Sequence, residues 1–362
     1  MRYVDEFRDP ELAQALLATL KREAGDRPLR LMEVCGTHTV AIFRSGVRQL
    51  LDGVVDLLSG PGCPVCVTAQ RDIDYGIGLA ELAGVTLATF GDMVKVPGTR
   101  GSLQQARARG ADVRIVYAAN DAVRLAAANP SRRVVFLGVG FETTAPTVAA
   151  ALLEAKRRGI DNFFVFSVHK LVPPALRALL ASGETPLDGL ILPGHVSAII
   201  GEGPYRFLSE EYGLAAAITG FEPLDVLRGI VELVSAVRTG RPAVVNRYER
   251  AVAREGNRAA LGLMAEVFAP ADADWRGLGR IPGSGLALRE EYAPYDAARA
   301  FRVDVSHSRE PAGCACGPVL RGAAKPPECA LFARACTPER PVGPCMVSTE
   351  GTCAAYYAYG RD

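Results

Sequence analysis

The placement of cysteine constrains this 362-residue chain more than any other feature. Of nine cysteines, three lie early (Cys35, Cys63, Cys66), none lies between 67 and 313, and six crowd into the last 49 residues (Cys314, Cys316, Cys329, Cys336, Cys345, Cys353). An odd number cannot all pair within one chain. The first ten residues carry five charged side chains and no apolar signal core, so secretion is not expected and a reducing, cytoplasmic setting is. In such a compartment clustered cysteines signal metal or redox chemistry more often than structural disulfides. Two separate cysteine chemistries, one at each end, must fit into one fold.

With 49% apolar and 22% charged residues the chain can bury real cores. Forty-one basic against 40 acidic residues leave a formal charge of +1, which argues against a nucleic-acid or other polyanion binder. No apolar run approaches the roughly 20 residues of a membrane span.

Asp9 as N-cap and Pro10 at the first helical position start an amphipathic helix predicted over 9–24. Apolar strands then alternate with helices. Strands are predicted at 29–34, 54–58, 85–90, 113–117, 133–139, 163–168, 189–192 and 215–219, and helices at 68–83, 102–109, 119–128, 144–158 and 223–238. That alternation predicts an α/β fold with parallel sheets covered by helices. A weak internal repeat sits at the strand ends. CGTHT (35–39) parallels GFETT (140–144), VVDLLSGPGC (54–63) parallels DGLILPGH (188–195), and LATFGDM (87–93) parallels AITGFEPLD (217–225). The expectation is two similar α/β domains, 29–125 and 126–240, facing one cleft. The N-terminal helix (1–28) would pack on a smaller Cys-rich domain, 241–362. Because ligands bind beyond the carboxyl ends of parallel strands, the motif loops should meet in that cleft.

Cys63-Pro64-Val65-Cys66 follows a strand and opens a helix, a position that favours a thiolate and lets two thiols form a disulfide or share a soft metal. In Cys35-Gly36-Thr37-His38 the thiol ends a strand, glycine allows close approach, and the histidine lies within reach of the thiol or of a ligand on it. A buried cysteine in a βα turn is the bland alternative. A cysteine protease would need a second histidine nearby in sequence. Glu142, Thr143 and Thr144 could cap a helix and face an anion, or cap only. His195, His169 and Asp92 follow strands, either as cleft residues or as satisfied turn residues. No phosphate-binding G-x-x-x-x-G-K-[ST] occurs. The tail spacing C-x-C-x12-C-x6-C-x8-C-x7-C lacks the paired knuckles of zinc sites and fits a [4Fe–4S] cluster better, with zinc, free thiols or disulfides as alternatives.

EVCGTHT (33–39), SGPGCPVC (59–66), GFETTAPT (140–147), LPGHVSAIIG (192–201) and the tail segments CGPVLRG (316–322), PPECALF (326–332) and CTPERPVGPCMVSTEGTCAAYY (336–357) together closely resemble the hydrogenase formation protein HypD family, from about residue 30 to the C-terminus. The resemblance implies an assembly scaffold with redox activity rather than a conventional turnover enzyme. It would act on the Fe(CN)2CO unit of [NiFe]-hydrogenase with the small chaperone HypC, cyanide arriving through HypF and HypE. It implies that Cys35 holds the iron with His38 beside it, and that Cys63 and Cys66 are the redox pair. Cys314, Cys329, Cys336 and Cys353 would bind the cluster, with Cys316 competing for the first position and Cys345 left as a non-ligand that could bridge to Cys316. Thr37, Glu142, Thr143 and His195 would line the cleft. The competing readings are a stand-alone thiol–disulfide reductase, in which Cys35 is dispensable, and a colourless zinc docking protein.

Overall fold

The computed structural model describes residues 5–23 and 25–360, so the end of the predicted first helix at Ala24 lies outside the described residues. All eight predicted strands form: β1 Leu29–Glu33, β2 Val55–Ser59, β3 Val85–Thr89, β4 Asp112–Ile115, β5 Arg133–Gly138, β6 Phe163–Ser167, β7 Gly189–Pro193 and β8 Ala215–Thr219. The five predicted covering helices form too, among them Ala145–Arg157 and Pro223–Thr239. β3, β7 and β8 are buried along their whole length. This is why they read as unbroken apolar runs and not as alternating ones.

The strands make two parallel sheets, β2-β1-β7-β8-β9 and β4-β3-β5-β6, where β9 is Val244–Asn246. Counted within its own sheet, each follows the same doubly wound order, second-first-third-fourth. The two units are therefore alike, but a boundary at 125/126 does not separate them. The sheet of β3–β6 is inserted between β2 and β7 of the other, so the repeat pairs β1 with β3 and β7 with β5 instead of β1 with β5 and β2 with β7. Strand order reverses between β1 and β7 in one sheet and between β3 and β5 in the other. Cys35 and His195 follow the first pair, and Asp92 and Glu142 the second.

Two other expectations are corrected. The first helix, Pro10–Arg22, packs on Pro223–Thr239 with Leu20 fully buried, and so covers the first sheet and not the Cys-rich tail. Segment 241–313 is not part of a Cys-rich domain. β9 extends the first sheet, and an antiparallel hairpin, β10 Phe268–Trp275 and β11 Gly279–Leu288, packs Phe268, Leu286 and Leu288 into the core of the second. One continuous core runs through both sheets and includes Cys63, Cys66, Cys316 and Cys345. No helix among the described residues is long and apolar enough to cross a membrane.

Candidate functional site

Buried β1 delivers Cys35 in extended conformation as the N-cap of helix Gly36–Arg44. The thiol therefore sits at the helix start, where the backbone N–H groups of Thr37 and His38 pull toward thiolate without closing a capping hydrogen bond. Those donors favour thiolate, but burial outweighs them. Cys35 is only 8% exposed. Burial, aided by the charge of Glu350, pushes its thiol up to about 11, so at neutral pH it is protonated. The space beside Gly36 is taken: a Cβ there would run into the carbonyl of Glu350.

The His38 ring does not serve the thiol. It is fully buried, with Nε2 2.9 Å from both the Gly220 carbonyl oxygen and Thr219 Oγ1. Burial drops it to about 4, leaving it neutral. Phe221 lies between two imidazoles, 4.6 Å from His38 and 4.1 Å from His195. His195 stays exposed at the start of helix Gly194–Ile200, in the field of Glu350.

The second thiol motif touches the first through backbone. Gly36 N–H donates to the Gly62 carbonyl oxygen at 3.1 Å, and a Cβ on Gly62 would collide with the backbone of Val34 and Cys35. Cys63 and Cys66 are joined as a disulfide, with Cα atoms 5.2 Å apart, and both are buried. The helix they open is only Pro64–Val67, too short for the expected macrodipole. The polar contact Cys63 does receive is local: Cys66 N–H donates to its sulfur at 3.2 Å.

All six tail cysteines line one small apolar cavity with Leu331, Phe332 and Met346. Val342 N–H donates to Cys336 Sγ at 3.3 Å, the kind of bond that steadies a cluster thiolate. A Cβ on Gly343 would stand 2.7 Å from Cys314 Sγ, so glycine leaves that sulfur free to turn inward. Among the described residues no three His, Cys, Asp or Glu side chains are arranged around a single-ion site. An apolar, sulfur-lined hollow with an N–H donor is compatible with a thiolate-held cluster. Cys316 Sγ and Cys345 Sγ are 2.7 Å apart, and the turn Pro344–Met346 packs on Pro64–Val67. The cavity thus adjoins the C-x-x-C disulfide.

Three features escaped the sequence. Arg276, fully buried, donates to the Thr68 carbonyl oxygen and Gln70 Oε1 beside the C-x-x-C turn. The tail between Cys345 and Cys353 bridges the two sheets, Ser348 Oγ donating to Asp92 Oδ2 at 3.0 Å and Thr37 Oγ1 to Glu350 Oε1 at 2.7 Å. Tyr205, buried, lies in the field of both Cys35 and Glu142. None of these residues has a spacing or composition signal. His169 is elsewhere, buried with Nδ1 3.1 Å from Ser167 Oγ. Thr143 is half-buried, and Thr144 is the N-cap without a side-chain capping bond.

Glu142 accepts from Val172 N–H with Oε1, while buried Oε2 has no partner, and burial lifts the carboxyl from 4.5 to about 7. The folded state therefore binds this proton more tightly than the unfolded one. Its stabilising share is full below about pH 4.5 and is lost as pH rises through about 7, a loss on the order of 3 kcal/mol. Glu142→Gln should abolish this pH dependence and be the more stable protein at pH 8, as urea titrations at pH 5 and pH 8 will report.

Residues 11–360 match the family model HypD, described as "Hydrogenase formation hypA family". The "Hydrogenase maturation factor HypD" of Rhodobacter capsulatus is 46% identical over 371 residues, covering 99% of this chain and 98% of the relative. The protein of the same name from Cupriavidus necator is 47% identical over 371 residues (100% and 98% covered), and that from Escherichia coli 45% over 369 (100% and 99%).

Proposed function

Since this chain belongs to the HypD family of hydrogenase maturation factors, we propose that it is a cytoplasmic scaffold and redox partner for assembly of the Fe(CN)2CO unit, working with HypC and receiving cyanide through HypE. The observation that carries the reading is the sulfur arrangement. Backbone contact joins the Cys35 loop to the C-x-x-C, and the Cys345 turn packs on the C-x-x-C from the other side. Iron bearing cyanide and CO takes soft donors, and the Cys35 thiolate is the donor at the switch point. Cys314, Cys329, Cys336 and Cys353 are the residues to hold a [4Fe–4S] cluster, which would supply electrons one at a time. Cys63 and Cys66 store two electrons, opening to a dithiol as two protons are taken up. Arg276 steadies the turn between cavity and disulfide. The apolar cavity lining keeps water away from the tail sulfurs.

Anaerobically purified protein should be brown, with about four irons per chain. Cys329→Ala and Cys336→Ala should each lose the colour. Full colour in both would remove the cluster assignment, and a colourless parent with bound zinc would favour a docking protein.

A further inference from the structure

Cys35 caps a helix at a sheet switch point, yet it is buried. Against the two residues that follow it lies a tail segment whose two ends are cysteines of the sulfur-lined cavity. From Cys345 the chain turns through Ser348, Glu350 and Gly351 and returns to the cavity at Cys353. Outward from this span, Ser348 holds Asp92 at the switch point of one sheet, and Glu350 holds Thr37 at that of the other. The Glu350 backbone fills the space beside Gly36, leaving no room for a Cβ, and Gly351 lies so close to the Cys345 carbonyl that a Cβ there would collide. Downstream, Tyr356 Oη accepts from Arg48 and its ring packs edge-on against Phe43 at 4.7 Å, pinning the last helix to the helix that begins beside Cys35.

We propose that Glu350 is a positioning residue for Cys35: its carboxylate, clamped to Thr37, holds the tail span closed over the thiol, and the cavity cysteines at both ends anchor that closure. Access to Cys35 then depends on the order of the cavity. A disturbance at Cys345 or Cys353 reaches the thiol through only a few residues of chain. This rests on the proposed role of Cys35 only for why access matters, since the closure itself is read from contacts.

Labelling tests it without iron or partner. Full-length protein, kept anaerobic at one pH, is exposed to iodoacetamide, and Cys35 alkylation is timed by peptide mass mapping. Glu350→Ala should label at least tenfold faster. Glu350→Gln, which keeps an oxygen for the Thr37 hydroxyl, should stay within about threefold of the parent. Thr37→Val should reproduce Glu350→Ala, and the double variant should add nothing further. Cys345→Ala should speed labelling with Glu350 intact. If it misfolds by circular dichroism, Gly351→Ala makes the same disturbance from the other side. Equal rates for Gln and Ala would reduce Glu350 to a charge effect and overturn the clamp. Parental rates in Glu350→Ala and Thr37→Val would overturn it too. Either result leaves the maturation reading standing, because that is read from diatomic ligands on iron and not from labelling.

Discussion

Cys35→Ala should abolish the cyanide and CO stretching bands in the infrared spectrum of the complex with HypC, while leaving fold and cluster in place. The residue ends β1 and contributes one sulfur to the packing, so its loss should cost on the order of 1 kcal/mol and move Tm by only a few degrees. The cavity cysteines lie on other segments and should keep their colour. The chemical loss, by contrast, is complete. Cys35 is the one cysteine outside both the C-x-x-C and the cavity, and it sits at a helix start whose first N–H groups favour the thiolate. Binding iron must displace the thiol proton, which those donors assist once the overlying tail yields. Cys35→Ser should fail as well, because an alcohol is rarely ionised and is a poor donor to soft iron. Normal bands in Cys35→Ala would leave HypC as sole holder of the iron and reduce this chain to a thiol–disulfide reductase.

The strands and covering helices were legible because hydrophobic runs of strand length between turn residues leave little choice. Which strand pairs with which was not. β1 and β2 look like the start of a contiguous unit, yet β7 and β8 complete their sheet across an insertion of more than a hundred residues. Nothing in a strand's own composition names its neighbour. The hairpin 268–288 was hidden because Pro270, Pro282 and Gly285 break the alternation, and a register shift between Ala271 and Ala273 moves it again. At the site, the placement of Cys35 and Cys63 at strand ends and the gathering of the tail cysteines were readable from residue type and spacing. The role of His38 was not. Its spacing from Cys35 does not say which way the ring turns, and the ring went to the core, onto Thr219 and Gly220. Glu350 had no local signal, since its meaning comes from Gly36, more than three hundred residues away.

The other large effect is expected from a single methyl group. Gly62→Ala should destabilise the protein by about 3 kcal/mol, at the upper end of overpacking costs, and should also cripple the site. Backbone strain is not the reason, as Gly62 does not adopt a positive φ. The reason is space: the added Cβ would meet the main chain of Val34 and Cys35, and backbone cannot swing aside as the end of a side chain can. Relief requires the GPG bend and the Cys35 loop to part. Parting them breaks the hydrogen bond from Gly36 N–H to the Gly62 carbonyl oxygen and shifts Cys63, the next residue, away from Cys35. Gly262 is the control. It lies inside the helix Arg258–Val267 with open space around its Cα, so Gly262→Ala should stabilise by roughly 0.5–1 kcal/mol through helix propensity alone. Thermal unfolding of the two variants should therefore move in opposite directions. The diatomic bands of the HypC complex should vanish only in Gly62→Ala. A Gly62→Ala protein with parental Tm and full bands would mean that the two thiol loops are not held together by their backbones, and that the route between disulfide and iron runs elsewhere.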